Sequence, residues 1–511
     1  MANYGFVIDN KKCIGCHACS TACKAENEVP LGVNRTWVKY VETGKYPEVS
    51  RSFQVTRCNH CENPPCVAIC PVSAMYQRKD GIVEFESDAC IGCKACIQAC
   101  PYDAIYIDPA TSTAAKCHYC AHRTEVGLEP ACVVVCPEHA ILAGDMDDPE
   151  SEIAKVVAKE KLSVRKPEQG TKPKLYYIEG NKAALDPLVT DNDPGKFMWS
   201  DTASDNQHND VLLKGARKAE QMVQVGHNAQ HPVHWKWQVP AYIVTKDIAA
   251  GLMMIVAAFS FLTGAMVLGV QGFVLGASMV AMTVATTVLL VLDLKRPERF
   301  LNVLLRPQWR SWLARGGVIL TVFGGIVGLY TVITPFSVGV GFYQGLLVAG
   351  AIFGFGAAVY TAYLLGQAEG RDLWQSPLVP VQFFVRAVLA GAAWIVVLGV
   401  VIPFSAELME FSTITLIVAL AIDLGMSLFG EFGMSHQTVT AAKAAKMITR
   451  GKYASHFWLG FLLAGRIVPL LVLMGGNTSS LTAAAVAVFA LVGLYLMEHA
   501  FIMAPQHVAN S

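Results

Sequence analysis

The stretch CIGCKACIQACP, residues 90–101, decides how the first half of this chain folds. Cysteines stand at 90, 93 and 96, a fourth follows at 100, and Pro101 comes directly after it. Three thiolates at i, i+3 and i+6 can wrap one corner of a cubane iron–sulfur cluster, while a fourth, carried off by a short helical turn, reaches a neighbouring cluster. Cys13, Cys16, Cys19 and Cys23 repeat that spacing. Cys58, Cys61, Cys66 and Cys70, and then Cys117, Cys120, Cys132 and Cys136, widen only the gap before the third cysteine, which enlarges a loop without changing the ligand count. With Cys90, Cys93, Cys96 and Cys100 they use all 16 cysteines of the chain, enough for four 4Fe-4S clusters with none left over. Zinc ribbons share the Cys-x2-Cys pairs but need no fourth cysteine three residues on. A disulfide framework belongs to short secreted domains.

Charged residues make up 16% and apolar residues 53% of the 511, too apolar for an ordinary soluble enzyme. The cysteines end at 136, whereas the long apolar runs begin only after about residue 245. Those runs cover 246–267, 273–294, 311–333, 342–365, 380–402, 411–431, 454–474 and 480–503. Each is long enough for a helix to cross a hydrocarbon core of about 30 Å. The expected architecture is an α+β four-cluster ferredoxin-like domain over 1–180, a linker over 181–235, and an all-α polytopic membrane domain of eight transmembrane helices over 236–511. An even number of crossings returns the C-terminus to the side of the cluster domain. The linker is polar and rich in proline and glycine, and His227, His231 and His234 at its end read as loop histidines. A formal net charge of zero argues against a nucleic-acid partner.

Lys295, Arg296, Arg299, Arg306, Arg310, Arg315, Arg371, Arg386, Lys443, Lys446, Arg450 and Lys452 are assigned to the cluster-side connections, and the opposite turns carry no lysine or arginine. The positive-inside rule then puts the cluster domain on the cytoplasmic side of a bacterial inner membrane. The N-terminal MANYGFVIDNKKC has neither an apolar run nor paired arginines, so no export signal is expected. His436, His456, His499 and His507 fall near run ends rather than facing one another within the bilayer, so no haem is expected and electrons should meet the membrane through a quinone. Asp293, Arg296, Arg299, Trp309, Trp312 and Arg315 are the candidate quinone pocket, combining donors for a carbonyl, a carboxylate for its proton and aromatic walls. Asp423 and Arg466 each lie about twelve residues into a run, so both sit near the midplane and can pair. With Glu431, Glu498 and His499 they are also a candidate proton half-channel, which makes a proton-translocating module the alternative function.

Residues 58–71, 90–105 and 117–137 (CNHCENPPCVAICP, CIGCKACIQACPYDAI, CHYCAHRTEVGLEPACVVVCP) resemble the four-cluster iron–sulfur subunit of the DMSO-reductase family of molybdoenzymes, over roughly residues 1–180. The resemblance implies ligand sets of Cys13, Cys16, Cys19 and Cys136; Cys117, Cys120, Cys132 and Cys23; Cys58, Cys61, Cys66 and Cys100; and Cys90, Cys93, Cys96 and Cys70. The membrane half is similar to the NrfD and DmsC-type anchors of the same complexes, in HWKWQVPAYIVTKDIAAG (234–251) and LDLKRPERFLNVLLRPQWRSWLARGG (292–317). That implies a haem-free anchor exchanging electrons with quinone. One position departs: Gly316 stands where the DmsC group carries an acidic residue. No pterin-binding domain, nucleophile constellation or phosphate loop is visible, so a separate molybdopterin subunit is the expected seat of catalysis.

Overall fold

The computed structural model describes residues 2–45, 47–188, 223–226, 232–336, 339–476 and 479–511. The chain forms two compact units. The first comprises Met1–Val233 with Ala368–Gly370 and Ala509–Ser511, and the second His234–Gln367 with Arg371–Val508.

In the first unit, short strands alternate with cysteine loops. The strands are β1 (Tyr4–Asp9), β2 (Thr36–Lys45), β3 (Glu48–Arg57), β4 (Met75–Gln77), β5 (Val83–Phe85), β6 (Ile105–Ile107), β7 (Ala114–Lys116), β8 (Ile141–Asp145), β9 (Leu162–Ser163), β10 (Leu175–Ile178) and β11 (Val223–Gly226). One sheet runs β8-β1-β10-β9, a second β11-β2-β3, and two hairpins pair β4 with β5 and β6 with β7. Each cysteine group ends in a short helix: α1 (Ala18–Glu26), α2 (Pro65–Ile69), α3 (Ala95–Ala99) and α4 (Ala131–Val134). Each helix carries its group's third cysteine and delivers the fourth within it, at its end or, for Cys136, two residues beyond, as the x3 spacing predicts. The loops before them share one backbone device: Gly15, His60, Gly92 and Tyr119, each just before its group's second cysteine, have φ of 70°, 42°, 69° and 64°. That left-handed turn folds the first two thiols to one side. It is free for glycine and costs about 1–2 kcal/mol at His60 and Tyr119, where burial of both rings holds it in place.

Among its described residues, the second unit contains eight helices long and apolar enough to cross a membrane. They are α5 (Gln238–Thr263), α6 (Gly269–Asp293), α7 (Trp312–Ile333), α8 (Val340–Gly366), α9 (Val379–Leu398), α10 (Ala406–Glu431), α11 (His456–Met474) and α12 (Ser480–Gln506). Helix α5 is the hub, packing against α6, α8, α9 and α12. It begins eight residues before the apolar run that announces it, because backbone hydrogen bonding continues a helix through the less apolar Gln238–Thr245 stretch. A side chain on Gly251 would lie 1.9 Å from the Ala387 carbonyl oxygen, and one on Gly391 2.3 Å from the Gly251 carbonyl carbon, so α5 and α9 cross backbone to backbone there. Gly465 and Gly493 do the same for α11 and α12. Small residues at crossings are how helices gain dispersion contact where lipid leaves no hydrophobic drive. The end of α10 (Met426–Glu431) and the start of α11 (His456–Ile467) are π-helical.

Arg386 corrects the expectation of a cluster-side connecting residue: it lies within α9 and is buried. The apolar run at 380–402 already contained it, and a lone arginine in such a run must point into protein, where partners offset its desolvation.

Candidate functional site

The first unit gathers the cysteines of different groups into four sets. Cys13, Cys16 and Cys19 line one cavity with Cys136. Cys117, Cys120 and Cys132 line another with Cys23. Cys90, Cys93 and Cys96 line a third with Cys70. In the remaining set, burial comes first and the neighbouring Cys58 and Cys100 next in pushing up the thiols of Cys61 and Cys66. Cross-set neighbours then order the sets: Cys132 acts on Cys19, Cys58 on Cys117, and Cys66 on Cys96, each pushing its neighbour's thiol up after burial has done so. The succession is Cys13/16/19/136, Cys23/117/120/132, Cys58/61/66/100 and Cys70/90/93/96.

This geometry suits cubanes. Among the described residues, no three His, Cys, Asp or Glu side chains converge closely enough for a single metal ion, whereas a cluster needs its thiolates spread around a larger body. Backbone N–H groups also point at sulfur: Met75 to Cys70 Sγ at 3.5 Å, Gly92 and Ala114 to Cys90 Sγ at 3.4 and 3.5 Å, and Ala140 to Cys136 Sγ at 3.2 Å. Such bonds to anionic sulfur stabilise a thiolate-bound cluster and tune its potential. Sequence reasoning missed two side chains at these cavities. Arg57 Nη1 donates to Cys132 Sγ at 2.9 Å, and Asn27 Nδ2 approaches Cys23 and Cys120 Sγ at 3.7 and 3.8 Å.

In the second unit the candidate quinone residues fall in and around the connection from α6 to α7. The Trp312 ring stacks on Tyr363 with centroids 4.5 Å apart, and the Arg315 guanidinium lies 4.9 Å over Trp312. Arg315 Nε donates to the Trp309 carbonyl at 2.6 Å. Gln367 fixes this stack by accepting from Trp312 N at 2.8 Å and donating to the Arg310 carbonyl at 2.7 Å. Arg296 pairs with Glu298 at 3.3 Å, Arg299 is half-buried beside it, and Asp293 lies within electrostatic reach of Tyr242. Gly316 is explained by its neighbour: a Cβ there would meet the Tyr360 ring at 2.2 Å, so the acidic residue of the DmsC group has no room.

Asp423 and Arg466 do meet, with Nε to Oδ2 at 2.7 Å. The pair is part of a longer buried series. Arg386 Nε donates to the other oxygen of Asp423 at 3.0 Å and its Nη1 to Glu498 at 2.7 Å. Lys246 pairs with Asp247 on α5 at 2.8 Å and donates to the Ala358 carbonyl at 2.8 Å. Three cations and three carboxylates on five helices therefore sum to zero, which is the condition for placing them in hydrocarbon. Arg466 Nη1 also donates to the Gly465 carbonyl at 2.8 Å, the group that Pro469 leaves without an i-to-i−4 partner. Of the remaining proton-path candidates, Glu431 accepts from Ser376 at 2.9 Å, and the His499 ring stacks on His456 with centroids 5.4 Å apart, beside Tyr453. His234 leads the HWKW stretch, whose backbone at His234 and Trp235 is held by Gln506 at 3.1 and 3.0 Å; His227 and His231 lie outside the described residues.

Comparison with known proteins agrees with both halves. A family model described as "Polysulphide reductase, NrfD" matches residues 225–509. The protein belongs to the NrfD family. Ahead of its NrfD segment it matches a 4Fe-4S dicluster domain over 49–146 and a 4Fe-4S binding domain over 10–26. A polysulfide reductase polypeptide of Wolinella succinogenes is 45% identical over 186 residues, covering 36% of this chain and 97% of that one. A tetrathionate reductase subunit of Salmonella typhimurium is 43% identical over 202 residues, 39% and 80% of the two sequences. A putative dimethyl sulfoxide reductase iron–sulfur subunit of Halobacterium salinarum is 39% identical over 258 residues, 45% and 95%. Each of the three covers less than half of this chain. This NrfD-family protein thus fuses, in one multi-pass membrane polypeptide, an iron–sulfur electron-transfer segment and a membrane anchor of the kind found in reductase complexes.

Proposed function

We propose that this chain relays electrons between membrane quinone and a separate molybdopterin catalytic subunit through four 4Fe-4S clusters. The observation that carries the reading is the succession of four cysteine sets, each joined to the next by neighbouring thiols, which leaves one path from end to end. Bound clusters supply one-electron carriers. The chain's own residues separate them, exclude water and set their electrostatics. In the second unit, Trp309, Trp312 and Arg315 offer an aromatic and cationic wall for a quinone ring, and Asp293, Arg296 and Arg299 offer its carbonyls donors and a proton acceptor. The basic connections support a cytoplasmic position for the iron–sulfur segment. The names of the relatives, each one component of a reductase, support a catalytic partner.

The test uses the complex purified from native membranes. Expected are roughly sixteen iron atoms per chain, a co-purifying molybdopterin-containing subunit, and cluster reduction by added quinol. Trp312→Ala and Arg315→Gln should slow quinol-dependent reduction while leaving dithionite-reducible clusters in place. Unchanged quinol kinetics in both variants would remove the pocket from this loop, and a content near eight iron atoms would halve the path.

A further inference from the structure

Arg57 ends β3, paired with Thr36 of β2, and its side chain is wholly buried. Its backbone precedes Cys58 of the third set, yet its guanidinium is aimed away from that set. Nη1 donates to Cys132 Sγ at 2.9 Å in the second, and Nε and Nη2 have no hydrogen-bond partner. The same guanidinium borders the cavity lined by Cys23, Cys117, Cys120 and Cys132 and lies within electrostatic reach of Cys19 and Cys13 in the first set. The Phe6 ring covers it with 4.7 Å between Cζ and the ring centroid.

Among the described residues, no carboxylate lies within ion-pair distance of Arg57. A buried guanidinium with no counter-ion is strongly destabilising. The groups that can neutralise it here are the anionic sulfurs of the first two sets. Two unpartnered nitrogen donors beside a cysteine-lined cavity have the same implication: their acceptors arrive with the bound group.

We propose that Arg57 is a positioning residue shared by the first two sets, holding the reduction potentials of their clusters above the value the same ligands would give without it. This rests on the four-cluster reading. Reduction adds one electron, delivered from the neighbouring cluster, and so one negative charge. A fixed cation in a dry interior favours the more negative state and raises the potential, as do hydrogen bonds to sulfur. The pair nearest Arg57 therefore forms an electron sink at one end of the path.

The experiment is a redox titration followed by electron paramagnetic resonance on the full chain with its native partners, for wild type, Arg57→Gln and Arg57→Lys, with iron counted in each. The wild-type iron count tests the four-cluster reading separately, before any variant is compared. Expected in Arg57→Gln is a shift of two of the four waves to lower potential, the reduced-to-oxidised ratio at fixed ambient potential falling by about tenfold, which is about 59 mV for one electron. Arg57→Lys, which keeps charge and loses the planar fork, should fall between. The other two waves stay in place. Four unmoved waves with iron intact, or four waves moving alike, would overturn the proposal. So would loss of clusters from both variants, which would make Arg57 a folding residue.

Discussion

Asp423→Asn is the most informative single change in the membrane half. The carboxylate takes one hydrogen bond on each oxygen, from Arg386 at 3.0 Å and from Arg466 at 2.7 Å. Asparagine keeps the shape and one acceptor but removes the charge. Glu498, Arg386, Asp423 and Arg466 sum to zero in the native protein and to +1 in the variant, with every member buried. Interhelical hydrogen bonds between neutral groups in bilayers average only about 0.6 kcal/mol. Leaving an uncompensated buried charge costs about 3–5 kcal/mol, so the charge outweighs the hydrogen bond. The folded-to-unfolded ratio should drop by roughly two to four powers of ten. The double variant Asp423→Asn with Arg466→Met restores neutrality, because Arg386 retains Glu498, and should recover at least about half of that loss even though it carries one more substitution. The assay is SDS-induced unfolding of the detergent-solubilised protein, with helix content read by circular dichroism. A double variant that loses the sum of the two single losses would refute the charge-neutral series.

Gly251→Leu should abolish folding of the membrane unit, since its first side-chain atom would lie 1.9 Å from the Ala387 carbonyl oxygen and backbone cannot yield cheaply; recovery of protein in the membrane fraction measures it, and near-normal yield would contradict the α5/α9 crossing. Cys93→Ala should lower iron by about four atoms per chain and remove one titration wave, with an unchanged count showing that Cys93 binds no cluster. His507, whose Nε2 lies 3.0 Å from the Tyr453 hydroxyl oxygen, is pushed down from 6.5 to about 4, by burial first and then by Lys452 and Arg371. The unfolded chain therefore binds the proton first, so this contribution to stability is complete above about pH 6.5 and declines as pH falls toward 4. His507→Gln should flatten the wild-type decline of the unfolding midpoint between pH 6.5 and 4.5, and parallel curves would discount the histidine.

Local chemistry was legible in the sequence wherever a residue's role depends on its near neighbours along the chain. Cysteines at i, i+3 and i+6 fall on one side of a tight loop whatever surrounds them, and a fourth after a helical turn must leave that side. Eight apolar runs were equally readable, because a bilayer demands about 20 apolar residues without regard to what each helix touches. The Asp423–Arg466 pair followed from depth alone, since two opposite charges at one level of a bilayer have few alternatives. Helix ends were less legible: α5 starts at Gln238, ahead of its apolar run.

Tertiary structure alone decided what depends on rotation and on residues distant in the chain. Depth along a helix does not say which way a side chain faces, so Arg386 read as a connection residue until packing of α9 against α10 and α12 brought it between Asp423 and Glu498. In the same way, nothing local in residues 48–57 says that β3 ends with a guanidinium aimed at Cys132, 75 positions away. The sequence by itself determined that the cysteines come in ligand-like groups and that the second half belongs in a membrane. The fold decided the order in which the cysteine sets touch and which buried charges answer one another, because electrostatic partnership is a property of distance in space.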